Sequence, residues 1–148
     1  MNRLARMLRL PKSARYAMLG LVHLAGRHGS GLVLVETAAR DLGLPPSFLA
    51  KLFQRLTRRG LLRSARGPGG GYALARPPEE ISLADVAAAM QDAELERRPC
   101  LLEPRGCEGR GLCAIHDDVV EAERRIAAAL ARVSLAQAAL MRPGGRHA

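Results

Sequence analysis

Every cysteine of this chain sits in one stretch, RRPCLLEPRGCEGRGLCAIH, residues 97 to 116. Cys100 is followed after six residues by Cys107, after five more by Cys113, and after two more by His116. Pro99, Pro104, Gly106, Gly109 and Gly111 oppose regular structure there, so the stretch is suited to wrap around something small. Three thiolates and an imidazole are a donor set for an iron–sulfur cluster or for zinc. Zinc ribbons and fingers use cysteine pairs two to four residues apart. The wider gaps here favour iron–sulfur. Thiol redox sensing is a competing reading, because Arg97, Arg98, Arg105 and Arg110 would favour thiolate forms. Inert cysteines fit less well, since buried structural cysteines sit in apolar helices rather than in Gly/Pro loops.

His116 opens the last helical pattern one turn from Cys113 and can reach the same centre, although a solvent-facing histidine would occupy the same place. Asp117, Asp118, Glu103 and Glu108 are the spare donors. A neutral imidazole in place of a thiolate raises the reduction potential and makes the centre sensitive to protonation. An odd number of cysteines argues against a disulfide framework and for a reducing, cytoplasmic setting.

The rest of the chain must position such a centre and give it something to control. With 148 residues, the chain suits one modest core plus an extension. Aromatic residues are 3% and tryptophan is absent, so the core is expected to be Leu, Ala and Val in helices. The net charge of +9 is uneven. Residues 1 to 78 hold 14 basic residues against Glu36 and Asp41, net +12, whereas residues 79 to 148 hold 9 arginines against 12 acids, net −3. A basic first half points to a polyanionic partner. The apolar run Ala17 to Ala25 is interrupted by His23 and too short to span a bilayer, and a signal peptide is disfavoured because Pro11 to Tyr16 separates it from Arg3, Arg6 and Arg9. Met7 is as good a start as Met1.

Helical spacing begins at Ser13, a candidate N-cap, with Tyr16, Leu19, Gly20, His23 and Leu24 on one stripe and Gly26 near the end. Glu36 to Leu42 reads as a two-turn helix stopped by Gly43. In residues 44 to 62, Pro45 and Pro46 suit a helix start, and Phe48, Leu49, Leu52, Phe53 and Leu56 form an apolar face. Two short helices joined by a glycine turn, the second with a polar and basic outer face, form a helix-turn-helix layout. Leu61 to Ala65 and Tyr72 to Ala75 read as strands around the tip RGPGGG, a β-hairpin wing. No helix follows those glycines and no Gly-Lys-Ser/Thr ending is present, so a nucleotide phosphate loop is disfavoured. No catalytic residue is assigned and an enzyme is not expected.

On this layout Ser47, Lys51, Gln54 and Arg55 are expected to face the major groove of double-stranded DNA, with Arg58 and Arg59 nearer its backbone. Arg66 is expected in the minor groove, and the wing glycines, Gly69 and Gly70 among them, allow close backbone approach. Ile81 to Ala93 reads as a further helix with Ser82 as N-cap and Asp85 in its first turn. In the last helix Ile115, Val119, Ala122, Ile126, Ala129, Val133, Ala136 and Leu140 follow a heptad seam suited to a second copy, and Ser134 is a candidate cap that would end it early. The expected fold class is mainly α: a winged helix-turn-helix domain with a β-hairpin wing plus a long C-terminal dimerisation helix. Its expected divisions are a basic leader 1–11, the DNA-binding domain 12–96, the cysteine-rich cluster loop 97–116, the dimerisation helix 117–141 and a tail 142–148.

RYAM and LVHLA in the first helix, SFLAKLFQRLTRRGLL, RGPGGGYALAR, ISLADV and the three cysteines ending in CAIH together resemble the Rrf-two type winged-helix transcriptional regulators, in particular their IscR-like iron–sulfur branch. The resemblance runs from Leu10 to Leu140. It implies a homodimer that binds promoter DNA under control of a two-iron, two-sulfur (2Fe-2S) cluster on Cys100, Cys107, Cys113 and His116, with no membrane or small-molecule substrate as partner. Relatives that sense nitric oxide or iron carry four-iron (4Fe-4S) clusters without this histidine. Where IscR-like recognition helices read Ser-x-Ser-Tyr-Leu-Glu-Gln, this chain has Ser47 but Ala50 and Lys51 in the Glu and Gln places, so its operator need not be the usual one. The first cysteine gap is also one residue longer. A regulator using a four-iron cluster, zinc or thiols is the alternative, and a non-transcriptional iron–sulfur protein a more distant one, disfavoured because a carrier has no use for +12 on a winged hairpin.

Overall fold

The computed structural model describes residues 10–91 and 114–141. Helix α1 spans Lys12–Ala25, α2 Val35–Leu42 and α3 Pro46–Arg58; strands β1 (Leu62–Ala65) and β2 (Gly71–Leu74) follow, then a 3-10 turn at Pro78–Glu80, α4 (Leu83–Ala89), α5 (His116–Ala131) and α6 (Leu135–Met141).

α1 is the central element, in contact with α2, α3, α4, α6 and β2. It starts directly after Pro11, whose carbonyl accepts from the Arg15 N–H at 3.0 Å. Ser13 therefore lies inside the first turn and is not the N-cap, because Pro11 already supplies a fixed φ at the boundary. Burial centres on Ala14, Ala17, Leu21 and Leu24. Of the expected stripe only Gly20 and Leu24 are fully buried, and Tyr16, Leu19 and His23 flank it. Neighbours on several sides bury more of a helix than one periodic face records. Gly20 lets α3 approach, since a Cβ there would meet the Phe53 ring at 2.7 Å.

α2 ends as expected at Gly43, left-handed at φ 65°, with Leu44 N–H donating back to the Ala39 carbonyl at 2.9 Å. Arg27, just past α1, donates to Asp41 Oδ2 of α2 at 2.7 Å, and His23 Nε2 lies 3.5 Å from the same oxygen. α3 begins at Pro46, which needs no N–H partner in the first turn. Its buried face is Leu49, Leu52, Phe53 and Leu56, with Phe48 at the margin.

The strands pair antiparallel from Leu62↔Leu74 to Ala65↔Gly71. Val33 adds a third, one-residue rung: it donates to the Tyr72 carbonyl at 2.9 Å and accepts from the Tyr72 N–H at 2.8 Å. The wing is thereby fastened to the loop before α2. α4 carries the expected capping box, Asp85 N–H to Ser82 Oγ at 3.1 Å and Ser82 N–H to Asp85 Oδ2 at 2.8 Å. It ends at Ala89, earlier than the expected Ala93; residues 92 and 93 lie outside the described residues.

The continuous dimerisation helix over 117–141 is not what forms. The helix breaks at Arg132, and Ser134 caps α6 with a second box, Gln137 N–H to Ser134 Oγ at 3.2 Å and Ser134 N–H to Gln137 Oε1 at 2.9 Å. The break is also held from outside. Leu83 donates to the Val133 carbonyl at 2.9 Å and Leu135 to the Ile81 carbonyl at 2.8 Å, a bridge that pairs the two capping serines. Backbone groups engaged across this bridge cannot continue a helical ladder. Leu135 is fully buried in the core, so α6 completes the head instead of extending the seam. Leu135→Ala should therefore cost about 2–5 kcal/mol, the range for a core Leu-to-Ala truncation, in urea unfolding. A cost below about 0.5 kcal/mol, as at an exposed surface site, would place α6 outside the core.

Candidate nucleic-acid interface and cysteine segment

Ser47, Lys51, Gln54 and Arg58 recur along α3 at steps of four, three and four, and all four are exposed. That spacing puts them on one stripe, away from Leu49, Leu52, Phe53 and Leu56. Arg59, at the C-cap, is exposed just beyond the helix. Two aromatic contacts hold the stripe outward. Tyr16 of α1 meets Phe48 edge-on at 5.5 Å between centroids, and Phe53 meets Tyr72 of the wing at 5.1 Å. Ala50, where the resemblance has a glutamate, is half-buried, and neighbouring Lys51 is exposed.

Arg55 is a correction. Expected at the major groove, it is half-buried and turned to α4, its Nε donating to the Ala89 carbonyl at 3.3 Å and its Nη2 to the Gln91 carbonyl at 2.8 Å. The last carbonyls of a helix lack internal partners and form the negative end of its dipole, so a guanidinium is well placed there. On α3 its position falls to the side of the exposed stripe, which periodicity alone records only as "not core".

The wing tip separates its glycines by role. Gly70 is buried within the tip, where its N–H donates to the Gly67 carbonyl at 2.9 Å and a Cβ would lie 2.5 Å from the Ala65 carbonyl. It shapes the turn and, unlike Gly69, is not exposed. Gly69, at φ 73°, is exposed with open space around it, and Arg66 is exposed beside it. Gly71, at φ 136°, passes so close to Val33 that a Cβ would run into the Val33 carbonyl.

Sequence reasoning passed over Arg63 on β1, which is exposed. With Arg27, His28 and Tyr72 it lines a cleft of about 230 Å³ between the wing and the turn after α1. The missing signal is contrast, because one more arginine in so basic a half does not stand out.

His116 is the first residue of α5 and is half-buried, with exposed Asp117 and Asp118 following in the first turn, where acids suit the helix N-terminus. Cys100, Cys107 and Cys113 lie outside the described residues, as do Glu103, Glu108 and the arginines between 97 and 110. The helices that flank this stretch, α4 and α5, are in contact. Among the described residues no group of three His, Cys, Asp or Glu could hold a metal ion, and no helix is long and apolar enough to cross a membrane.

Two short helices with an exposed basic stripe on the second, followed by a fastened hairpin, define a winged helix-turn-helix DNA-binding protein. Residues 10–140 match the Rrf2 family, described as iron-dependent transcriptional regulators, and the chain belongs to that family. It is 32% identical over 130 residues to the HTH-type transcriptional regulator IscR of Serratia proteamaculans, covering 88% of this chain and 78% of that one. To the IscR of Cereibacter sphaeroides it is 43% identical over 89 residues, which span 57% of this chain and 56% of the relative. The solved T. potens IscR has the same fold, with a TM-score of 0.75 at 23% identity, over 95% of this chain and 96% of that one. These relatives are transcriptional regulators.

Gly71→Ala should cost about 1–3 kcal/mol, the penalty for a strained backbone position, because it adds a clash with the Val33 carbonyl. Gly69→Ala, left-handed but unobstructed, should cost only about 1–2 kcal/mol. Thermal unfolding of the two variants checks the order; a larger loss at Gly69 would mean that the Val33 rung does not hold the wing.

Proposed function

We propose that the chain is a homodimeric regulator whose promoter binding is controlled by an iron–sulfur cluster on Cys100, Cys107, Cys113 and His116. The observation that carries the reading is the donor set in a chain of this family: three cysteines and a histidine in one segment of an iron-dependent Rrf2-type regulator, joining the contacting helices α4 and α5, the latter opening at His116. Three thiols and one imidazole are chemically suited to a two-iron, two-sulfur centre. When bound, such a centre supplies a redox or occupancy signal that the amino acids alone do not have.

In this reading the chain's own residues do the rest. Ser47, Lys51 and Gln54 meet base edges, Arg58 and Arg59 meet phosphates, and Arg66 enters the minor groove beside Gly69. The head is one reader and a promoter offers two half-sites, so a second copy is required. α5 supports that partner: none of its residues is buried, and Ile126 is 36% exposed beside the small residues Ala127, Ala128 and Ala129. Over α5 the heptad positions Ile115, Val119, Ala122, Ile126 and Ala129 remain available for the contact, whereas Val133, Ala136 and Leu140 fall beyond the break. The reducing interior of a cell is the setting in which free thiols persist for this use.

Anaerobic purification followed by visible absorption and iron and sulfide assay tests the cofactor. Equal iron and sulfide are expected, with His116→Ala altering the spectrum. Iron-free protein containing zinc, or none, would replace the cluster by zinc or thiol chemistry, and a spectrum unchanged in His116→Ala would remove the imidazole from the donor set. Duplex binding is expected to fall steeply with salt, and Arg66→Ala to weaken operator binding by about 1–3 kcal/mol at matched salt. Unchanged affinity would take the wing out of the mechanism.

A further inference from the structure

Arg55 joins two parts of the molecule with different tasks. Its backbone belongs to α3, which bears the exposed Ser47, Lys51, Gln54 and Arg58 stripe; its guanidinium holds the carbonyls of Ala89 and Gln91 at the end of α4. In the sequence Gln91 precedes Cys100 by nine positions. A planar guanidinium can engage both carbonyls at once, a geometry that an ammonium point charge does not reproduce. The bond to Ala89 is partly buried, which strengthens it relative to an exposed contact.

We infer that Arg55 is a positioning residue for DNA reading: through its two bonds to the carbonyl end of α4 it fixes how α3 presents Ser47, Lys51 and Gln54, without touching DNA itself. The inference rests on α3 being the helix that enters the groove. A displacement of the Gln91 carbonyl then reaches the reading stripe directly, through one side chain, and does not have to pass through the apolar core.

The test compares wild type, Arg55→Gln and Arg55→Lys in the full-length protein. The probe is a duplex selected from a randomised library by the wild type, titrated at several salt concentrations. For Arg55→Gln, affinity is expected to fall about tenfold while the salt slope stays at the wild-type value, because no phosphate contact is lost. Loss of a phosphate contact would instead lower the slope by about one, and that outcome overturns the inference. Hydrogen exchange of the DNA-free proteins gives the second reading: amides of Leu52 to Arg58 should exchange at least about tenfold faster in Arg55→Gln, as expected for a helix freed to open locally.

Unchanged affinity together with unchanged exchange overturns the inference. If Arg55→Gln does not fold, Arg55→Lys decides alone. Its flexible ammonium lacks the planar fork that fits both carbonyls, so about threefold changes in affinity and exchange are expected, and wild-type behaviour in both overturns the inference. Absence of duplex binding by the wild type would defeat the DNA-regulator reading by itself, and the exchange measurement would still decide whether Arg55 holds α3.

Discussion

A helix can offer polar side chains to a partner in a fixed orientation only if its opposite face is immobilised, and here that condition is met by the packing of α3 on α1. Leu49, Leu52, Phe53 and Leu56 bury the inner face, and Gly20 removes the one Cβ that would hold the two helices apart at Phe53. Phe53 also reaches Tyr72, so the same buried ring locates the wing. One buried ring thus touches both the helix under α3 and the hairpin, and the hairpin is held in addition by its rung to Val33. A methylene-scale change in that contact would be felt at both reading elements, since close-packed interiors have little slack.

Around this contact the chain uses backbone bridges where apolar surface is scarce. With aromatic residues at 3% and no tryptophan, large rings cannot fill gaps, and the remaining joints are hydrogen-bonded. Val33 with Tyr72 ties the wing to the loop before α2, and Ser82 with Ser134 ties the start of α4 to the start of α6. Both serines also cap their helices, so each residue ends one irregular stretch and begins one helix. This double use lets Leu135 arrive at the core from a position far along the sequence.

Much of this was legible from the residues. The glycine at 43, the prolines at 45 and 46, the Ser82 to Asp85 box and the glycine-rich hairpin each state a local conformation that no distant contact overrides. What could not be read depended on partners remote in sequence. Arg55 is indistinguishable from Gln54 as a polar residue off the apolar face until α4 is seen beside it. The heptad pattern through Leu140 is periodic enough for one helix; Ser134 marks where it can stop, and the bridge to Ile81 and Leu83 adds why it does. Gly70 and Gly69 are equal in sequence and opposite in exposure, because only one faces the inside of the turn. The candidate cofactor set divides along the same line: the donor types and spacing are properties of the chain, whereas His116 is given a place by α5.

The contact between α4 and α5 has a thermodynamic side. Bringing the two ends of a long excursion together normally carries an entropic cost that rises with its length. In this protein folding of the head meets part of that cost, because the excursion leaves from one helix and returns to another packed against it. Any group held by the intervening residues then acts between two helices that already touch.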